Sequence, residues 1–230
     1  MSFIKNAFQK GDEEIYNKLY TNEEENNTVK PFTFSVYLPN ADFTSEKGKV
    51  ILDNNSIYLN FSTYFYNLGV PFYNGALNHL HKAYDISNNL NMTLEKINLQ
   101  RSDKFDTNTV NFTTHSPIVV REHNETANKE KYYTAQEDKF IPQLKHNLTE
   151  SCEHFLFNGQ EKERIYNMID NMKIEGLDME TITIMHYNHP VKGNSGRIKI
   201  KAHPKLLEYL YKSGIGSRRS QGFGKLEVVG

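Results

Sequence analysis

Apolar residues at Phe3, Ile4, Ala7 and Phe8 fall at helical spacing, and Ile15, Leu19 and Tyr20 resume it beyond Gly11. This predicts one helix with a break, or two short ones. Residues 21–29 are polar and read as a loop. Phe32, Phe34, Val36 and Leu38 then alternate, which predicts a half-buried strand over 30–39. Two apolar runs around Asp-Asn-Asn-Ser predict a hairpin over 49–65. A helix is predicted over 70–84, and strands over 92–102 and 109–120.

The second half repeats the theme. A strand is predicted from Ser116 to Asn124. A helix over 137–157 places Ile141, Leu144, Leu148, Cys152 and Phe155 about every four residues. That stripe makes Cys152 a core residue rather than a nucleophile. Strands are predicted over 180–191 and 196–203, on either side of Lys-Gly-Asn-Ser-Gly. Pro204 opens a helix with Leu206, Leu207, Leu210 and Tyr211 on one face, and Gly214 stops it. A last strand runs over 223–229.

Strand, helix, two strands, helix, strand is the ferredoxin-like unit. The expected fold is therefore α+β, two tandem ferredoxin-like (RRM-like) domains. The boundary falls at Thr114–His115, giving domains 1–114 and 115–230. The first domain opens on its helix, with no first strand before it. That predicts an incomplete first sheet or a chain that starts late.

The chain has 230 residues and no run of 18 apolar ones, so no membrane helix is expected. Its first residues show no signal segment, and it has one cysteine, so a cytoplasmic protein is expected. The net charge is −1, but it is unevenly spread. Residues 192–230 hold nine Lys/Arg and two acids, a balance of +7, leaving −8 elsewhere. A basic end on an acidic chain predicts a polyanionic partner. It contains "GIGSRRSQGFGKLEVV", with glycines at 214, 216, 222 and 224 and basic Arg218, Arg219 and Lys225. A nucleotide phosphate loop needs four residues between its glycines and runs from strand to helix. Here five separate Gly216 from Gly222, and the loop runs from helix to strand. Glycines of this kind can admit a polymer backbone, with main-chain N–H groups on its phosphates.

Other constellations are weaker. His79 and His81, two apart on the helix expected there, point to different sides and share no metal. His186 and His189 lack an acidic or cysteine partner nearby, so no zinc site is expected. Arg121 and His123 lie close to the domain boundary, where an RNA could cross. Tyr132 and Tyr133 are candidates to stack on bases, although paired tyrosines more often serve packing.

Three stretches carry a family likeness. "GIGSRRSQGFGKLEV", "THSPIVVRE" and "KPFTFSVYL" resemble the glycine-rich loop, the Ser-Pro segment and the second strand of the CRISPR-associated endoribonucleases that process repeat RNA. These belong to the repeat-associated RNA-binding superfamily. The resemblance implies binding and metal-independent cutting of CRISPR repeat RNA. In that reaction a 2′-hydroxyl attacks the adjacent phosphate and leaves a 2′,3′-cyclic phosphate and a 5′-hydroxyl. No cofactor is implied. The implied partners are repeat RNA and other CRISPR-associated proteins, with the chain itself a monomer or homodimer. A frequent family pattern has Tyr early in the first helix, His at its end and Lys before the second strand. Here those positions hold Lys5, Tyr20 and Lys30. The resemblance implies Tyr20 as proton donor or positioner, Lys5 as base and Lys30 as charge stabiliser, with Tyr16 as a substitute one turn from Tyr20. It implies an RNA-backbone loop of Gly214, Gly216, Ser217, Arg218, Arg219, Gly222, Phe223, Gly224 and Lys225, in which Phe223 anchors the loop. A non-catalytic repeat-RNA binder and a structural subunit of a CRISPR effector complex are the alternatives.

Overall fold

The computed structural model describes residues 2–21, 29–42, 50–52, 54–87, 90–101, 104–124, 129–153, 159–186 and 189–229. The chain opens on α1 (Ser2–Gly11) and α2 (Glu13–Tyr20). The break between them comes from Asp12. Its backbone is extended and its carboxylate accepts the Ile15 N–H at 3.0 Å, an N-cap that starts a new helix. Next come β1 (Phe32–Tyr37), β2 (Tyr58–Thr63), α3 (Tyr66–Leu77), β3 (Ala83–Ser87) and β4 (Leu90–Thr93).

Two expectations change here. The apolar runs of 49–65 do not pair with each other. Instead β2 pairs antiparallel with β1, from Phe32 opposite Thr63 to Tyr37 opposite Tyr58. Ile51 makes one bridge, to Asp42. The helix expected over 70–84 begins at Tyr66 and stops at Leu77. His79 and His81 therefore lie beyond it. The His81 N–H donates to the Leu94 carbonyl at 2.9 Å, and this tertiary bond draws the chain out of the helix.

The α1 and α3 helices meet backbone to backbone. A Cβ on Gly11 would sit 1.8 Å from the Pro71 carbonyl oxygen, and one on Gly75 would sit 1.7 Å from that of Ala7. Phe8, Phe32, Phe34, Ile4, Leu19 and Leu68 form the apolar cluster beneath them.

The second half contains β5 (Thr109–Thr114), the β6 (Val120–Asn124) and β7 (Lys129–Tyr133) hairpin, α4 (Phe140–Glu153), α5 (Gly159–Asp170), β8 (Lys173–His186), β9 (His189–Lys201), α6 (Pro204–Ser213) and β10 (Leu226–Val228). Four of these strands form one antiparallel sheet in the order β10-β5-β9-β8. So β5, placed before the boundary at Thr114 on sequence, lies inside the second sheet. Helix α5 was not expected, and residues 154–158, where the long helix should have ended, lie outside the described residues. Lys-Gly-Asn-Ser-Gly is not a turn but the middle of β9. A Cβ on Gly193 would come within 2.8 Å of Pro117. Asn194 is fully buried and exchanges backbone hydrogen bonds of 2.8 Å with Ile118. These turn-like residues serve a close crossing of strands.

The larger core lies between this sheet and α4, α5 and α6. Phe112, Ile198, Ile200, Leu144, Leu148, Ile169, Leu207 and Leu210 are buried in it, with Cys152 among them as the stripe predicted. Each such aliphatic side chain contributes about 1.5–3 kcal/mol of transfer free energy. No described helix is long and apolar enough to cross a membrane.

Candidate nucleic-acid interface

Lys5, Tyr20 and Lys30 come together. Lys5 projects from α1, Tyr20 ends α2, and Lys30 precedes β1. The turn at Asp12 swings α2 back so that Lys5 Nζ lies 5.3 Å from the centre of the Tyr20 ring and 5.8 Å from that of Tyr16. Lys30 Nζ lies 5.0 Å from the Tyr20 ring. Both are cation–π distances. Neither lysine forms an ion pair among the described residues. Burial raises the Tyr20 pKa well above that of an ordinary phenol, with Tyr16 adding to it. The group remains a protonated donor throughout the physiological range. Burial also lowers the Lys30 pKa, and the Lys5 charge lowers it further. Lys5 is exposed.

Short hydrogen bonds tie this cluster to the glycine-rich loop. The Pro31 carbonyl, next to Lys30, accepts from Ser213 Oγ at 3.2 Å and from Thr63 Oγ1 at 2.8 Å. Ser213 ends α6 and immediately precedes Gly214. Two residues further along β1, Thr33 Oγ1 donates to the Phe223 carbonyl at 2.9 Å. The N-terminal cluster and the C-terminal loop are therefore one assembly.

The glycines do something other than expected. Gly214 and Gly224 have φ of 81° and 70°, which favours glycine over other residues. Their open sides face protein. A Cβ on Gly214 would lie 2.9 Å from Thr33 Cβ, and one on Gly224 would lie 2.0 Å from the Ile215 carbonyl oxygen. Gly216 and Gly222 abut Val119 and Phe34 in the same way. The Ser217 N–H donates to the Val119 carbonyl at 2.7 Å. The loop is thus wedged between β1 and the start of β6, and its glycines allow that fit. Phe223 is buried with Val119 and Val191, an anchor as expected.

The cations of the loop are also engaged. Arg219 is 1 % exposed, and its Nη1 donates to Tyr209 Oη and to the Ser213 and Gly214 carbonyls at 3.1–3.2 Å. Expected on sequence to hold phosphate, it instead caps the end of α6, where the helix dipole favours a cation. Arg218 pairs with Glu130. Lys225 Nζ donates to Ser62 Oγ at 2.9 Å. Elsewhere in the basic stretch, Lys199 and Lys201 lie near Glu175, Lys212 pairs with Glu208, and Arg197 sits opposite Asp178. Three acids from outside residues 192–230, Glu130, Glu175 and Asp178, thus offset part of its +7 across strands and turns. Lys5 and Lys30, which form no ion pair among the described residues, stand beside Tyr20, in the half of the chain that sequence charge did not favour.

Burial pushes the Lys225 pKa down to about 8, against the pull of Glu227. Between pH 8 and the ordinary lysine value of 10.5 the folded protein binds fewer protons than the unfolded one, so stability rises with pH across that window. Lys225→Met should therefore melt higher than the wild type at pH 7, and the margin should shrink as pH approaches 10.5. Melts at several pH values test this; a margin independent of pH would contradict it.

The remaining candidates are dispersed. His79 Nε2 lies 2.7 Å from Asn6 Oδ1, and the His186 ring packs edge-on against Phe223. Tyr133 is buried and bonded to Glu122, so it packs rather than stacks on a base. Tyr132 and Arg121 both bond to Glu130. Sequence reasoning missed Glu130, because only folding brings it to Arg218, 88 residues away. Among the described residues no cluster of three His, Cys, Asp or Glu could hold a metal.

Comparisons with known proteins agree with this architecture. The profile described as "CRISPR associated protein Cas6, C-terminal" matches residues 99–228. The sequence has no significant match among curated proteins. Among solved structures, the product of a Cas6-related gene from Pyrococcus furiosus superposes with a TM-score of 0.77 at 18% identity, over 99% of this chain and 88% of that one. A protein described as "An RAMP protein binding different RNA substrates" gives 0.73 at 16%, over 100% and 89%. A Cas6 product complex gives 0.67 at 14%, over 99% and 91%. At these identities the likeness carries the fold alone, whereas the profile spans more than half of the sequence. The chain belongs to the Cas6 family of CRISPR-associated proteins.

Proposed function

We propose that this protein binds CRISPR repeat RNA and cuts it without a metal ion, in a composite site where Lys5, Lys30 and Tyr20 carry the chemistry. The observation that carries this reading is the convergence of two ammonium groups on one phenol, 5.0 and 5.3 Å from its ring centre. A 2′-oxygen loses its proton and attacks the adjacent phosphorus, while the 5′-oxygen leaves and takes up a proton. The products are a 2′,3′-cyclic phosphate and a 5′-hydroxyl. Lys30, whose pKa burial and the Lys5 charge lower, takes the 2′-proton as base. Tyr20, held as a phenol, donates to the leaving oxygen. Exposed Lys5 offsets the charge of the phosphorane. This reverses the lysine roles that the family resemblance implies.

The strand order β10-β5-β9-β8 supports reading the C-terminal half as a ferredoxin-like unit whose first strand is β5, and we propose a boundary upstream of Thr109. We read the N-terminal half, with its separate β1–β2 and β3–β4 pairs, as a second such unit without a first strand. The glycine-rich loop serves RNA binding by joining the two units, with Ser217, Arg218 and Lys225 as its candidate contacts.

A second reading is an RNA-binding protein that does not cut. It is favoured by the make-up of the cluster, since neither Lys nor Tyr ordinarily titrates near neutrality. One experiment separates the two. Labelled repeat RNA is incubated with the protein in excess EDTA, alongside the same RNA with single 2′-deoxy substitutions. Cutting that one deoxy position abolishes supports the nuclease; binding without cutting supports the second reading.

A further inference from the structure

Three side chains from separate segments converge on one carboxylate. Glu130, near the start of β7, accepts from Arg121 Nη1 of β6 through one oxygen. Its other oxygen accepts from Arg218 Nη2 of the glycine-rich loop at 2.6 Å, and from the Tyr132 hydroxyl. Two guanidinium groups and a phenol around one oxyanion also make the donor set that a phosphodiester requires.

We infer that Arg121, Arg218 and Tyr132 form a phosphate site for one nucleotide of the bound RNA, and that Glu130 fills it while the protein is free. This inference rests on the RNA-binding reading above.

Three observations support it. First, the carboxylate does not saturate its donors: Arg218 Nε is buried without a hydrogen-bond partner among the described residues. A phosphodiester, with more acceptor oxygens, has one to offer. Second, Arg218 is held in place independently of Glu130. Its backbone lies in the left-handed region at φ 58°, and its Nη1 donates to Gln221 Oε1 at 3.0 Å. Arg218 therefore keeps its position if the carboxylate leaves. Third, there is room. An open cavity of about 580 Å³ adjoins the cluster, lined by Glu130, Lys131, Tyr132, Thr134, Glu137 and Lys192. Glu130, with 27% of its side chain exposed, can rotate outward. Lys131 and Lys192 give the cavity wall cations for the neighbouring phosphates.

Displacement has an electrostatic cost. Partial burial disfavours the ionised carboxyl, but hydrogen bonds from Tyr132, Arg121 and Arg218, with the Arg218 charge, outweigh it and hold Glu130 at about 2. The carboxylate thus competes with RNA, and removing its charge should release affinity.

The test measures binding of fluorescent repeat RNA made uncleavable by 2′-deoxy substitution, across a range of salt concentrations. Glu130→Gln should bind about 3–10-fold more tightly than wild type near 0.15 M salt, because no carboxylate has to be displaced, with the same log–log salt slope, because both complexes make the same phosphate contact. Arg218→Ala in the Glu130→Gln background should lose the gain and flatten the slope by about 0.7, the value of one lost phosphate contact. Equal or weaker binding by Glu130→Gln overturns the inference and leaves the RNA-binding reading intact. No binding by either protein overturns both. In the wild type, the Arg218 Nε–H resonance should shift when RNA is added; an unmoved resonance in the bound complex also overturns the inference, whatever the variants' folding.

Discussion

Lys30→Met should slow single-turnover cutting of repeat RNA about 10²–10³-fold and change RNA affinity little, the signature of a group that acts in the transition state. Methionine keeps the length of the side chain and removes its amine. The reasoning starts from the half-buried position of Lys30, 5.0 Å from the Tyr20 ring, with the Lys5 charge close by. Burial and like charge both disfavour the ammonium form, so the neutral amine needed by a base is more abundant than in a free lysine. The sign of the pH dependence follows. If Lys30 is the base, the rate climbs as pH rises, and levels off at a pH below the ordinary lysine value of 10.5. Lys30→Arg keeps the charge but cannot deprotonate, so it should lose both the rate and the climb. A Lys30→Arg enzyme at near wild-type rate would instead assign Lys30 to charge stabilisation. Tyr20→Phe tests the opposite proton transfer. Its loss should be felt most on RNA with a poor leaving group and be relieved when the leaving 5′-oxygen is replaced by sulfur, which needs no protonation.

Gly75→Ala should destabilise the N-terminal half by about 3 kcal/mol or more, a severe effect for a single methyl group. The added carbon would lie 1.7 Å from the Ala7 carbonyl oxygen and 2.8 Å from the Gly11 nitrogen. Both are backbone atoms of α1, so no side chain can rotate away. The helices must separate, and Lys5 moves with α1. Alanine is ordinarily the better helix former by about 1 kcal/mol, so propensity alone predicts the opposite sign. Gly69→Ala in the same helix is the control. Its new carbon meets Thr63 Cγ2 at an ordinary 3.5 Å, and it should be neutral or mildly stabilising. Thermal melts of the two variants decide the matter. Equal melting temperatures would mean that the helices are not packed this closely in solution.

The aromatic and aliphatic periodicity of the chain was sufficient for α1, α2, β1, α4 and α6, and the Cys152 stripe was read correctly as core. It failed where a residue's local preference yields to a distant neighbour. Asn194 and its flanking glycines look like a turn but allow β9 to cross Ile118 closely. The Glu130 tie to Arg218 shares no local pattern, because its members lie on elements joined only by folding.

The chemistry of the candidate site divides in the same way. By itself the sequence determined which residues were available: lysines and tyrosines with no histidine before His79, a glycine-rich basic loop, and enough periodic apolar residues for two α+β layers. Those are matters of composition and local spacing, which the chain carries unfolded. Only the tertiary structure decided their surroundings. It brought Lys5 and Lys30 to Tyr20, buried Arg219 on the carbonyls at the end of α6, and set Glu130 against Arg218. Charge counted along a chain says nothing of which acid meets which base. That pairing, and the desolvation that shifts each group's pKa, exist only once packing sets the distances between residues far apart in sequence.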